Sequence, residues 1–412
     1  MMTNDDIGRR IADLRARRGL TQEELAEFSG VSISVIRKVE QGRGGARMES
    51  FHAIARALDV VTMMFVPSAT RAPDPIEHED VRDLILADLR AAVLPAVALA
   101  DSDTVEDLCS EAPDLQRLRK ATRSLVDAYH GNRYDFVAQI APGLIRSAHL
   151  HVATAPHGQI DDAVFLRADL FKMVARYLVQ VRENDLAFIV LRSALEDARR
   201  VGNQPLAAMI IGSCSRIMLR QTRFDQAERM VVKLADEIEP KVSTATPNQL
   251  AAWGRSLLWA SAAASRNNRP QEARDYLAAA ASAAARLGSE QMDLVGHESF
   301  GPLTVATKGP ENEMIAGNPG RVLELSNELP RGVGKMTPAG WQQHLLYRAH
   351  AFVLMGKVHE ATNVLSGLRR TASEWLRQQR LSREVTQDLI SSCKGTVNEE
   401  QMQLANFLGV PV

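Results

Sequence analysis

Residues 21–42 read TQEELAEFSGVSISVIRKVEQG, and their spacing decides the fold of the N-terminal part of the chain. Thr21 and Glu24 form a capping box, in which each side chain satisfies an orphan backbone N–H at a helix start. Leu25 and Ala26 then fall on the inner side of that short helix. Gly30 stands where the chain must leave it, and glycine tolerates the left-handed conformation such an exit needs. Ser32 is placed to cap a second helix, whose Ile36 and Val39 face back toward Leu25. Two short helices, capped at both starts and joined by a tight glycine-bearing turn, make a helix-turn-helix.

The flanks agree with that reading. Asp5 to Arg18 predicts a first helix with Ile7, Ile11 and Leu14 on one face. Met48 to Asp59 predicts a fourth, and residues 61–65 a short fifth. Gly42-Arg43-Gly44-Gly45 between them has no strand before it and no GK[ST] after it, so it reads as a connector and not as a phosphate loop. Pro67, Pro73 and Pro75 in VPSATRAPDP then break the helical pattern and mark a linker over residues 67–79. The expected division is a domain at 1–66, this linker, and a larger domain at 80–412.

On these residues the N-terminal part resembles the phage-repressor (XRE-type) helix-turn-helix domain. The resemblance covers residues 7–60, is carried by ADLRARRGLTQEELAEFSGVSISVIRKVEQG and FHAIARALDV, and needs no gap between Arg9 and Gly42. It implies that the second helix of the motif enters the major groove of double-stranded DNA, where each base pair shows a distinct edge. Matched position by position, Ile33, Ser34 and Lys38 would face the bases, with Val35 and Arg37 alongside. Gln22, Arg43 and Arg47 would hold phosphates, directly or through nearby backbone amides. The resemblance also implies an ion pair between Arg15 and Glu40. The reading set is more apolar than the glutamine- and arginine-rich sets of that family, which leaves the target sequence open.

Composition sets the wider frame. The 412 residues are 45% hydrophobic but only 5% aromatic, rich in Ala and Leu and poor in strand-like runs, which favours an all-α protein. A net charge of −1 argues against a chain-wide polyanion surface. Residues 1–72 carry 11 Lys/Arg against 9 Asp/Glu, a small excess that clusters at Arg37, Lys38, Arg43 and Arg47. There is no apolar run long enough to span a membrane and no secretory apolar region at the N-terminus. Cys109, Cys214 and Cys393 lack pairing or metal spacing and read as reduced residues of a cytoplasmic protein.

Beyond the linker, a helix from Glu77 ends or kinks at Pro95, and Asp101 to Pro113 forms an acidic connector. From about Leu115 to Leu376 the chain then repeats. A turn followed by a small residue recurs at Val137, Ala187, Ala227, Ala273 and Ala361, at intervals of 50, 40, 46 and 88. The last interval is about twice the others and places a degenerate unit near GNPGRVLEL at 317–325. A second small residue lies twelve positions before (Ala175, Ser215, Ser261, Ala349), and an apolar one four positions after (Leu191, Val231, Leu277, Leu365). Small residues in both helices of a pair allow close packing, and the apolar residues seal the next pair. This resembles the tetratricopeptide repeat in lengthened form, and the tail from Glu374 reads as its closing helices.

That resemblance implies a concave groove lined by the first helix of each pair. Projected from the small residues, the lining takes in Asp169, Lys172, Arg176, Arg216, Arg220 and Arg255, then Arg266, Gln343 and His350. Arginine forks suit carboxylates and phosphates, so the expected effector is a peptide or small molecule with acidic groups. One small reader touches few phosphates, and tight binding needs two half-sites about 34 Å apart, so a homodimer is expected. The alternative function is a DNA-tethered scaffold whose repeats dock a protein.

Catalytic signals are weak. His149 and His151, two apart, point to different helix faces and make a poor metal pair with His157. HESFG at 297–301 lacks the first glycine of a nucleophile elbow. RGVGKMT at 331–337 has Leu329 and Met336 where a phosphate loop needs glycine and Ser/Thr. The expectation is therefore a non-enzymatic regulator with no cofactor or metal.

Overall fold

The computed structural model describes residues 4–18, 20–43, 46, 48–58, 79–93, 114–241, 243–292, 298–330, 334–393 and 397–412. The expected helix at 61–65, the linker up to residue 78, Pro95, the connector at 101–113 and Arg47 lie outside them. The described chain is almost entirely α-helical, with a helix-turn-helix at the N-terminus and a helical-repeat region after it.

Four helices build the first unit: α1 (Asn4–Arg17), α2 (Gln22–Ser29), α3 (Ile33–Glu40) and α4 (Met48–Ala57). Ile11, Leu25, Ile36, Ile54 and Leu58 are fully buried at its centre. Each such side chain contributes on the order of 2 kcal/mol by leaving water. The capping box forms as expected, with Thr21 Oγ1 accepting from the Glu24 amide at 3.1 Å and Glu24 Oε2 accepting from the Thr21 amide at 2.7 Å. Gly30 leaves α2 at φ 68°. Ser32 corrects the sequence reading. It occupies the cap position of α3, but its side chain makes no cap hydrogen bond and lies 3.1 Å from the Ser34 hydroxyl instead.

The close approach that sets α3 comes from a residue the sequence reading passed over. A Cβ at Gly8 would stand 2.0 Å from the Val39 carbonyl oxygen, so α1 and α3 cross at a distance only glycine permits.

The repeat region begins with α5 (Glu79–Val93), whose Leu86 and Leu89 enter the main core. Hairpins follow: α6 (Leu115–His130) with α7 (Tyr134–Thr154), α8 (Ile160–Gln180) with α9 (Asn184–Arg200), α10 (Gln204–Arg220) with α11 (Phe224–Glu237), and α12 (Pro247–Arg266) with α13 (Pro270–Leu287). After a short β excursion come α14 (Pro302–Ala306), α15 (Lys308–Ile315) with α16 (Pro319–Asn327), and α17 (Pro338–Leu354) with α18 (Val358–Thr371). The short α19 (Ser373–Gln378) leads to α20 (Arg380–Ser391), which packs on α17, and α21 (Glu399–Leu408), which packs on α18.

The small-residue register is where the sequence put it. Val137, Ala187, Ala227, Ala273 and Ala361 are buried, as are Ala175, Ser215, Ser261 and Ala349. The degenerate unit is the α15–α16 hairpin, with Val322 buried in the small-residue place. A backbone signal underlies the register: the hairpin turns hold Asn132, Arg182, Thr222, Asn268, Gly317 and Gly356 at positive φ, each five residues before the buried residue of its own hairpin. Ser261 donates to the Ala273 carbonyl at 2.7 Å, which fixes the α12–α13 crossing directly.

Between α13 and α14 the chain makes a two-stranded antiparallel excursion, β1 (Gln291–Met292) and β2 (Ser299–Phe300), pairing Gln291 with Phe300 and Met292 with Ser299. The Phe300 ring fills the space left by Gly254 of α12, where a Cβ would meet it at 2.0 Å. Glu290 accepts from the Leu303 and Thr304 amides, both at 2.8 Å. The excursion is thus anchored at both ends against the repeats.

Candidate nucleic-acid interface and effector groove

α3 turns two different faces to its surroundings. Ile36 and Val39 are buried against α1 and α2, while Ser34, Arg37 and Lys38 are exposed and Ile33 and Val35 half-buried. The helix is held by an ion pair that joins three elements. Arg15 Nε meets Glu40 Oε1 at 2.7 Å and Arg15 Nη2 meets Oε2 at 3.0 Å, while Nη1 donates to the Leu20 carbonyl at 2.8 Å. This two-point geometry fixes direction as well as distance.

The candidate DNA contacts divide on inspection. The Gln22 side chain donates to Glu40 Oε2 at 2.6 Å, so it belongs to the clamp; what it keeps for a phosphate is its backbone amide at the first turn of α2. Arg37 pairs with Glu23 of α2 at 2.8 Å, both exposed. Arg43 is exposed and its amide closes the end of α3 on the Lys38 carbonyl at 3.0 Å. Ser34, Lys38 and Arg43 are exposed along α3 and its exit, as is Arg37 beside Glu23.

In the repeat region the expected groove residues separate into two clusters. Lys172 and Arg176 from α8, Arg216 from α10 and Arg255 from α12 gather around one carboxylate, that of Glu298 just ahead of β2. Arg176 Nη1 reaches Glu298 Oε1 at 2.7 Å and Arg216 Nη2 lies 3.6 Å from it. Burial alone drives this carboxyl upward, but the field of Arg176, Arg216, Lys172 and Arg255 outweighs it and holds the pKa at about 2. Asp169 lies 4.0 Å from Lys172 on the same helix. Arg220 sits at the rim, where its Nη1 donates to the Val179 carbonyl at 2.7 Å.

Arg266 belongs elsewhere. It meets Glu311 of α15 at 2.9 Å and the Tyr347 hydroxyl of α17 at 3.3 Å, while Lys308 meets the other Glu311 oxygen at 2.6 Å. Burial raises the Glu311 carboxyl, but Lys308 and Arg266 carry it down to about 2. This is a clasp between hairpins, apart from the Glu298 cluster. Gln343, on α17, hydrogen-bonds Tyr347 of that clasp, whereas His350 on the same helix faces Asp388 and Glu384 of α20.

Beside the Glu298 pair is a small cavity of about 40 Å³, bordered by Tyr129, Arg176, Gln180, Ser213, Arg216 and Arg220. Arg176 stacks over the Tyr129 ring at 5.3 Å. Gln180 is 7% exposed, and its Nε2 has no hydrogen-bond partner among the described residues.

The histidines serve packing. Burial, with Arg167 alongside, lowers His149 to about 4. His149 packs edge-on against Phe171, and His151 Nδ1 lies 2.6 Å from the Ser147 carbonyl. Burial pushes the Cys214 thiol up to about 11. Among the described residues no helix is long and apolar enough to cross a membrane, and no group of three His, Cys, Asp or Glu is placed to hold a metal.

Comparison with known proteins places the N-terminal unit first. Residues 6–62 match the helix-turn-helix domain family. For the chain as a whole, no curated protein sequence matches. Among solved structures it is similar to Bacillus thuringiensis PlcR in complex with the peptide PapR7 and DNA, with 12% identity, a TM-score of 0.32, and coverage of 79% of this chain and 95% of that one. It is also similar to the apo form of ComR from S. thermophilus, with 10% identity, a TM-score of 0.24, and coverage of 79% and 94%.

Proposed function

We propose that this protein is a non-enzymatic, sequence-specific DNA-binding transcriptional regulator, cytoplasmic and homodimeric, whose helical repeats sense an acidic small molecule or peptide. The observation that carries the reading is the two-faced α3, whose apolar side is locked inward by Gly8 and the Arg15–Glu40 pair while Ser34 and Lys38 are exposed at its surface. Ser34 donates or accepts at a base edge, Lys38 suits the guanine acceptors, and Ile33 and Val35 suit a thymine methyl. Arg43 and Arg47 follow as phosphate contacts, with the Gln22 amide at the start of α2. The groove cations on α8, α10 and α12 support an effector with acidic groups.

Selection of bound fragments from a genomic DNA library tests the reading. A single enriched motif with two half-sites, bound with a steep salt dependence, is the expected result. Equal retention of all duplexes, or none at low salt, would sink it. Sedimentation is expected to give twice the 45.3 kDa chain mass; a monomer both free and on the selected duplex removes the dimer.

A further inference from the structure

The cation cluster has an unusual composition: basic side chains from three successive hairpins converge on an acid supplied by the chain itself, from an excursion outside the repeat pattern. Glu298 lies 122 residues from Arg176 in sequence. Its position is defended by separate devices. Phe300 seats in the gap at Gly254, Ser299 accepts from the Thr337 amide at 3.0 Å, and Glu290 caps the following turn. A carboxylate so placed does for Arg176 and Arg216 what a bound acidic group would do.

The neighbouring cavity shares those two arginines. Its floor is made of buried groups, Tyr129, Arg176, Gln180 and Ser213, and its rim of the exposed Arg216 and Arg220. At about 40 Å³ it exceeds the space one water requires and suits a single small polar head. The chemistry facing it is donor-rich: guanidinium forks from two helices and the Gln180 amide, whose Nε2 has no partner among the described residues. Ser213 already donates to the Met209 carbonyl at 3.0 Å, so the cavity asks for an acceptor with more than one oxygen.

Building on the effector-sensing reading above, we propose that this cavity is the subsite for a carboxylate of the effector, and that Glu298 competes with that carboxylate for Arg176 and Arg216. The resident acid thereby sets how much acidic ligand the protein needs before it responds. Arg220 strengthens the ligand side of the competition, because it borders the cavity and its Nη1 donates to a neutral group, the Val179 carbonyl, at 2.7 Å.

The test uses the full chain and two probes, N-acetyl-triglutamate for a peptide source and succinate for a metabolite source, with N-acetyl-triglutamine amide as the uncharged control. Calorimetric titration at constant ionic strength is expected to show E298Q binding at least one of the acidic probes tenfold or more tightly than the parent, with no gain for the control. Glu298→Asp, which keeps the charge, is expected to stay near the parent. Adding R216Q and R220Q to E298Q is expected to erase the gain. Equal affinities for parent and E298Q overturn the proposal, and so does a gain that survives R216Q/R220Q or appears equally in E298D. Should E298Q fail to fold, Arg220→Gln in the parent decides: a fivefold or greater loss of probe binding supports the subsite, and unchanged binding overturns it. The sensing reading has its own readout, the duplex affinity of the same samples. An E298Q chain that gains the probe without any change in duplex affinity ends the sensing reading and keeps the subsite. A duplex affinity that responds to probe without any gain in E298Q does the reverse.

Discussion

The Arg15–Glu40 network of the N-terminal unit and the Glu298 cluster of the repeats differ in how they are built. In the N-terminal unit, Arg15, Glu40 and Gln22 lock α1, α2 and α3 into one body, and each member comes from within 26 consecutive residues of that unit, 15–40. In the repeat region, Arg176 and Arg216 are set by the hairpin register, but their acid, Glu298, arrives from an excursion after four hairpins. The first network is a bolt that holds α3 still. The second places an acid where a ligand's acid would go. The two pairs differ in origin: one joins helices of a single small unit, and the other takes its acid from an excursion outside the repeat pattern.

The largest expected effect breaks the bolt's seat. Gly8→Ala puts a methyl group 2.0 Å from the Val39 oxygen, and such overpacking costs about 3 kcal/mol or more. Loss of specific duplex binding with an unchanged melting transition for the repeats is expected, by gel shift and calorimetry. Glu40→Ala leaves the Arg15 guanidinium half-buried without its carboxylate and is expected to cost about 3 kcal/mol in the same unit, read by urea denaturation. Retention of stability there would mean that the apolar core alone positions α3.

The second network makes a prediction of different sign structure. Glu298 is held ionised down to about pH 2, against an ordinary value of 4.5. A carboxyl depressed on folding adds stability that is complete above the unfolded value and is lost as pH falls toward the folded one. E298Q is therefore expected to be less stable than the parent at pH 7, on the order of 2 kcal/mol, with the difference closing between pH 4.5 and 2. A constant difference across that range would place the effect in packing and not in charge.

Smaller still are the surface changes on α3. Lys38→Ala is expected to leave folding within about 0.5 kcal/mol and to reduce the slope of log affinity against log salt by about one if it meets a phosphate. An unchanged slope with relaxed sequence preference would assign it to a base instead. Arg37→Ala removes only an exposed pair with Glu23, and its stability effect is expected within about 1 kcal/mol.

How much of this was legible beforehand follows from where each partner lies in the chain. The helix-turn-helix was readable because its determinants are local: caps three residues apart, a glycine exit, and apolar positions at helical spacing. The repeat register was readable for the same reason, down to the degenerate unit at Val322. Ser32 was read as a side-chain cap, yet its hydroxyl lies toward Ser34, a rotamer choice that residue type does not specify. Gly8 carried a signal, an isolated glycine in a helical pattern, but the carbonyl it admits lies on another helix.

By itself, the sequence determined the helical class, the N-terminal helix-turn-helix and the register of small residues in the repeats, because each depends on periodicities of a few residues. Beyond the Arg15–Glu40 pair that the resemblance implied, tertiary structure alone decided the polar partners: that Gln22 turns to Glu40, that Arg266 is clasped by Glu311, and that HESFG delivers Glu298 into the cation cluster. Charge pairing depends on distances of a few ångströms between chain positions far apart, and those distances exist only once the hairpins have packed.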